Sequence, residues 1–238
     1  MKILVTNDDS VNAEGLKTLT GLAADFGEVF VVAPWDEQSA KSHAINITTG
    51  FQLEKVKSQM KCEVYYCRST PADCVRSAHF ALNKDFDIVF SGINSGFNLG
   101  EDIFYSGTVS AAIEATFHNK KAIAFSAPRG KTYIKKATFK KIMDFFTKNN
   151  LFDLCDIYNV NIPENPQKLM ITRQGKTHFN ADFTYRNNLW HQEGYHQYHC
   201  EKDITTDVWA VCNGCISVTP LTVDRTDYAA YKKLLKNS

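Results

Sequence analysis

The sequence has no long apolar run. None of its hydrophobic stretches approaches the roughly 20 residues that a membrane-spanning helix needs, and no basic segment followed by an apolar one opens it. Charge of one sign is lacking as well: 27 Lys and Arg stand against 26 Asp and Glu, a formal net charge of +1. No global field therefore recruits nucleic acid polymers or anionic membranes, and an anionic ligand has to be held by local chemistry. The expectation is a soluble, cytoplasmic protein. Seven cysteines, an odd number, lack the compact spacing of small secreted frameworks and are expected to be reduced thiols. Two nucleotide signatures are missing too. Neither G-x-G-x-x-G nor G-x-x-x-x-G-K-[ST] occurs, which disfavours the usual dinucleotide and P-loop sites.

What is present is an alternation of strand and helix signals through the first two thirds. Ile3-Leu4-Val5 leads into Asn7-Asp8-Asp9, followed by an amphipathic helix pattern over 13–26. Val29 to Ala33 is a second buried strand stopped by Pro34. Segments 44–56 and 62–67 have strand character and suit a hairpin. Thr70-Pro71-Ala72-Asp73 resembles a helix cap with proline in the first turn and opens a helix to about 82. Strands at 87–90, 122–125 and 157–162 and helices at 109–118 and 132–148 complete the pattern, which predicts a mostly parallel α/β sheet with helices on both faces. Residues 1–164 are expected to form this core. Residues 165–238 form a C-terminal extension that packs on it or on another subunit.

Two features of the extension resemble metal sites and have simpler readings. Cys212-Asn213-Gly214-Cys215 has CxxC spacing, but Asn-Gly between apolar segments is a two-residue hairpin signal, so the cysteines are expected to flank a turn. His191, His196, His199 and Cys200 lack a paired CxxC and read as a solvated or interface loop. Phe179, Phe183, Tyr185, Leu189, Trp190, Tyr195, Tyr198 and Trp209 present too much aromatic and apolar surface for a free loop. They predict a homodimer or homotetramer assembled through this tail.

The chemistry concentrates where strands end. Two adjacent carboxylates at a strand terminus repel each other unless they share a proton or a cation. An isolated Asp-Asp is commonly just a turn. Here, however, Asp8 and Asp9 share one sheet edge with Ser39, Asn94 and Asn98. Carboxylate, hydroxyl and amide oxygens suit Mg²⁺, Mn²⁺ or Ca²⁺ rather than zinc. Ser106-Gly107-Thr108 opens a helix whose free N–H groups and glycine suit a phosphate. With no acid two residues beyond either aspartate, an Asp-x-Asp nucleophile loop is disfavoured.

These motifs together resemble the SurE family of survival-protein nucleotidases: Ile3 to Asp9, Val31 to Pro34 with Gln38-Ser39, Thr70 to Val75, Ser91 to Gly96 with Asn98-Leu99-Gly100, and Tyr105 to Val109. The match extends to Thr206-Asp207 and Ile216 to Leu221. The resemblance implies a Rossmann-like fold and a divalent-metal phosphomonoesterase for nucleoside 5′- and 3′-monophosphates, with short polyphosphate as a further substrate. It implies one Mg²⁺ or Mn²⁺ per subunit, replaceable by Ca²⁺ in crystals, with Asp8, Asp9, Ser39 and Asn94 as ligands and Asp8 and Asp9 as the catalytic pair. Asn7, Asn98, Ser106, Gly107 and Thr108 match phosphate-side positions. Members use C-terminal segments for subunit exchange. Ser10, Lys41-Ser42, Ser69 and Phe97 depart from the usual pattern: Ser10 would be strained at a positive φ, and Ser69 and Phe97 would reshape the pocket. The alternative is a non-catalytic nucleotide- or phosphate-binding regulatory protein on the same fold.

Overall fold

The architecture comes from a computed structural model, which describes residues 1–177, 179–196 and 202–236. In chain order the core comprises β1 (Lys2–Thr6), α1 (Glu14–Ala23), β2 (Glu28–Pro34), β3 (Leu53–Val56), β4 (Glu63–Cys67), α2 (Pro71–Arg76), β5 (Ile88–Ser95), α3 (Gly107–Phe117), β6 (Lys121–Ala127), α4 (Lys136–Lys148), α5 (Leu151–Leu154) and β7 (Ile157–Asn161). The extension adds β8 (Lys168–Ile171), β9 (Phe179–Arg186), β10 (Leu189–His196), α6 (Asp207–Cys212), β11 (Cys215–Leu221) and α7 (Tyr228–Leu235). None of the described helices is long and apolar enough to cross a membrane.

Nine strands form one sheet in the order β3-β4-β2-β1-β5-β6-β7-β11-β8. Its six consecutive parallel strands, β4-β2-β1-β5-β6-β7, follow the 3-2-1-4-5-6 order of Rossmann folds. β3 pairs antiparallel with β4, the expected hairpin in a narrower span, and β11 pairs antiparallel with β7. Side chains of β1 alternate between the two faces. Ile3 and Val5 pack with Leu16 and Leu19 of α1 and with Phe139 and Ile142 of α4. Leu4 packs on the opposite face with Cys74 and Val75 of α2 and Val109 and Ala112 of α3. In α4 the buried residues Phe139, Ile142, Met143 and Phe146 recur at helical spacing, which is the stripe that seats it on the sheet. Thr70 and Ser106 act as the expected caps, accepting the Asp73 and Val109 N–H groups at 3.1 and 3.0 Å.

The extension differs from its sequence reading: His191 and His196 lie in strand β10 rather than in a loop. Asn213-Gly214 does not turn a hairpin: residues before it form α6, Asn213 caps that helix, and Gly214 takes φ +69° before β11 begins. The same dipeptide serves a left-handed helix exit as readily as a type I′ turn. Cys212 is consequently exposed at the helix end and Cys215 buried in the strand. The two-residue hairpin of the extension lies earlier, at Asn187-Asn188. Both residues have positive φ (53° and 59°), and Arg186 pairs with Leu189 across the turn. It joins β9 to β10 in a separate two-stranded arm. Trp209 belongs to α6 rather than to this arm, whereas Tyr198, His199 and Cys200 lie outside the described residues.

Asp207 fastens the extension to the loops at the sheet edge. Fully buried, its carboxylate accepts N–H groups from Gly100 at 3.0 Å, Gly175 at 2.7 Å and Val208 at 2.8 Å. Burial pushes its pKa up, and the three N–H bonds oppose that shift. Asp207→Asn would turn an amide NH₂ toward one of these donors, so it should cost about 1–3 kcal/mol. A denaturant midpoint equal to wild type would contradict the role given to this carboxylate.

Candidate active site

The chain continues from β1 to β2 on one side of it and returns to β5 on the other. This reversal opens a crevice beyond the carboxyl ends of the strands, where α/β sheets bind ligands. Four loops meet there, and the contacts between them are specific. The Gln38 N–H donates to the Asp8 carbonyl at 2.7 Å, joining the loop after β2 to the loop after β1. The Ser95 N–H donates to Asp9 Oδ2 at 3.1 Å, joining β5. The Gly130 N–H donates to Ser95 Oγ at 3.0 Å, joining the loop after β6. Within the first loop, Ser10 takes the strained φ of 105°, and its carbonyl is held by Asn7 Nδ2 at 2.9 Å.

Asp8 sits against the first turn of α3. Its carboxylate accepts both the hydroxyl and the backbone N–H of Thr108. The positive end of the helix is thus directed at this carboxylate. Gly107 permits the approach: a Cβ there would lie 2.8 Å from Asp8 Cβ and 3.0 Å from Asp8 Oδ2. Even so, burial pushes Asp8 up to about 6, with Thr108 pulling down and neighbouring Asp9 adding to the rise. Burial also raises Asp9; the Ser95 N–H and Arg129 oppose the rise and Glu37 adds to it.

Asp8, Asp9, Ser39, Asn94, Asn98 and Ser106 line one cleft of about 950 Å³. Ser39 Oγ donates to Glu37 Oε1 at 2.6 Å, so the hydroxyl oxygen keeps lone pairs for another partner. Asn94 Nδ2 is engaged by the Gly96 carbonyl at 2.8 Å, leaving its Oδ1 as the acceptor. Asn98 is buried, and its Nδ2 donates to Ser126 Oγ at 2.9 Å. The other three expected phosphate-side residues stand behind this wall. Asn7 and Thr108 are wholly buried, serving the turn and Asp8, and Gly107 provides clearance.

Of the departures noted in the sequence, Phe97 does line the cleft, whereas Ser69 is buried and donates to Asp73 at 2.5 Å. Four residues were missed. Arg129 places a cation in the cleft beside Asp9, Glu37 and Asp102 add two further carboxylates, and Gln192 brings in the β9–β10 arm. Arg129 had a legible signal, since it follows an apolar strand at the same sheet edge as Asp8. Gln192 had none, because its position depends on the arm folding back.

The donor set fits a hard divalent cation. Two adjacent carboxylates, with Glu37 and Asp102 also lining the cleft, face one arginine among the described residues, so the balance of charge in the cleft is negative. Every donor is an oxygen, as Mg²⁺ and Mn²⁺ prefer.

Known proteins resemble this chain over nearly its whole length. The family model described as Survival protein SurE matches residues 3–181. A 5′-nucleotidase SurE from Clostridium botulinum is 37% identical over 96% of this chain and 95% of its own length. Another from Geobacter metallireducens is 38% identical over 98% and 96%. The crystal structure of the SurE protein from Aquifex aeolicus superposes with a TM-score of 0.80 at 33% identity, covering 100% of this chain and 99% of that one. With the match running through the strand-end loops as well as the sheet, this chain belongs to the SurE family.

Proposed function

We propose that the chain is a divalent-metal-dependent phosphomonoesterase that hydrolyses nucleoside 5′- and 3′-monophosphates, with short polyphosphate as a further substrate. The observation that carries this reading is the pairing of Asp8 and Asp9 in a cleft that also presents Ser39, Asn94, Asn98 and Ser106. Asp8, Asp9, Ser39 and Asn94 would hold one Mg²⁺ or Mn²⁺. Such an ion supplies Lewis acidity, polarising a phosphoryl oxygen and drawing a proton from water at neutral pH. The chain's own groups then act by placement. Thr108 and the first turn of α3 keep Asp8 oriented and favour its ionised form. The Ser95 N–H does the same for Asp9. Arg129 faces the charge that builds on the phosphoryl oxygens, and Asn98 and Ser106 form the wall beside them.

Phosphate release from a panel of nucleoside monophosphates should require Mn²⁺ or Mg²⁺ and stop on addition of EDTA. Asp9→Asn should keep the fold and fall below about a tenth of the wild-type rate at saturating metal, since charge-stabilising groups usually contribute ~10²-fold or more. Turnover that survives EDTA would exclude the metal. Nucleotide binding without turnover would favour a regulatory binding protein.

We also propose assembly through the β9–β10 arm. Phe183, Tyr185, Leu189 and Trp190 are each more than half exposed on a two-stranded ribbon, an unstable arrangement for a hairpin alone in water. Light scattering should give at least twice the chain mass, and replacing Tyr185, Leu189 and Trp190 by serine should shift it toward monomer. A monomeric wild-type protein at micromolar concentration would refute the assignment.

A further inference from the structure

A cluster away from the cleft bears on it. Glu114 lies in the middle of α3 with its side chain only 3% exposed. Its carboxylate meets three partners: Arg76 Nη1 at 3.1 Å, His118 Nε2 at 3.1 Å and His43 Nε2 at 2.7 Å. His79 stacks on His118 with centroids 4.7 Å apart, so it faces the cluster without touching the carboxylate. Arg76 and His118 come from α2 and the end of α3, and a buried carboxylate is satisfied by such a pair. His43 is different. It lies 71 residues away in the segment after β2, the loop that carries Ser39.

That loop has no regular structure and holds an unfavourable shape. Ala40 and Ser42 both take left-handed conformations, φ 56° and 55°, without being glycine. Such residues persist only where their surroundings over-determine them. Around them, the Ser42 N–H and Oγ donate to the Tyr105 and Phe104 carbonyls at 3.0 and 2.6 Å. Next in sequence, His43 reaches Glu114 and stacks flat on Phe117, with centroids 5.7 Å apart and planes 4° from parallel. Glu114 stands two turns along α3 from Gly107, about 10 Å at 1.5 Å per residue. One rigid helix therefore grips Asp8 with its first turn and the Ser39 loop from its middle.

We propose that His43 is a positioning residue: its bond to Glu114 latches the Ser39 loop into the shape that presents Ser39 Oγ beside Asp8 and Asp9. This rests on the metal-site reading above. An unlatched loop populates the competent arrangement for only a fraction of the time, and the apparent metal affinity falls by that fraction.

The test is Mn²⁺ binding by calorimetry on the full chain without substrate, paired with activity as a function of Mn²⁺ and with melting temperature. His43→Ala should bind Mn²⁺ about fivefold or more weakly, while its kcat at saturating Mn²⁺ returns close to wild type, since His43 touches no reacting atom. His43→Gln keeps an N–H at the Nε2 position and should bind within about twofold of wild type. Arg76→Met cuts a different partner of the same carboxylate; it should lower the melting temperature and leave Mn²⁺ binding within about twofold. A smaller loss than fivefold for His43→Ala overturns the latch, as does an equal loss for Arg76→Met, which would make the cluster merely structural. Wild-type protein that hydrolyses nothing and binds no Mn²⁺ overturns the metal-site reading itself and the latch with it.

Discussion

The contact between Asp8 and the first turn of α3 is the constraint on which the rest of the site depends. It places a carboxylate, which water would stabilise far better, almost out of reach of solvent. The helix end compensates in part, through the Thr108 hydroxyl, the Thr108 N–H and the dipole. Only glycine at 107 lets the two approach so closely. The remaining deficit is visible in the upward shift of both aspartates, which a divalent cation would reverse by favouring the ionised forms.

The scaffold around this contact divides the work between rigid and adaptable parts. Buried parallel strands and α3 fix Asp8, Asp9 and Asn94. Ser39 is carried on an irregular loop, and Gln192 on an arm that leaves the main sheet. Asp207 joins the loop after β5 to the arm, since its carboxylate accepts the N–H groups of both Gly100 and Gly175. Elements that belong to the extension in sequence are thus continuous with the site in space.

Much of this was legible from sequence. Strands such as 3–5, 30–33 and 122–125 are buried on both faces and read as unbroken apolar runs. Thr70-Pro71 and Ser106-Gly107 announced helix starts that the structure contains. Asp8, Asp9, Ser39, Asn94, Asn98 and Ser106 do gather in one cleft. What stayed hidden depends on neighbours rather than on local chemistry. Asn213-Gly214 fits a hairpin or a helix exit equally well, and the helix before it decides the matter. The Gly107 requirement is set by Asp8, 99 positions earlier in the chain, and the Glu114 pairing with His43 spans 71. The hairpin at Asn187-Asn188 had the positive-φ residues that such a turn demands, within an aromatic stretch whose alternation is weak.

The most direct test of the account is diffraction from crystals grown with Mn²⁺, recorded at the manganese absorption edge. One anomalous peak per chain is expected among Asp8, Asp9, Ser39 and Asn94, about 2.0–2.3 Å from the carboxylate oxygens, in the range of hard divalent cations. A peak confined to other residues, or none at saturating Mn²⁺, would contradict it.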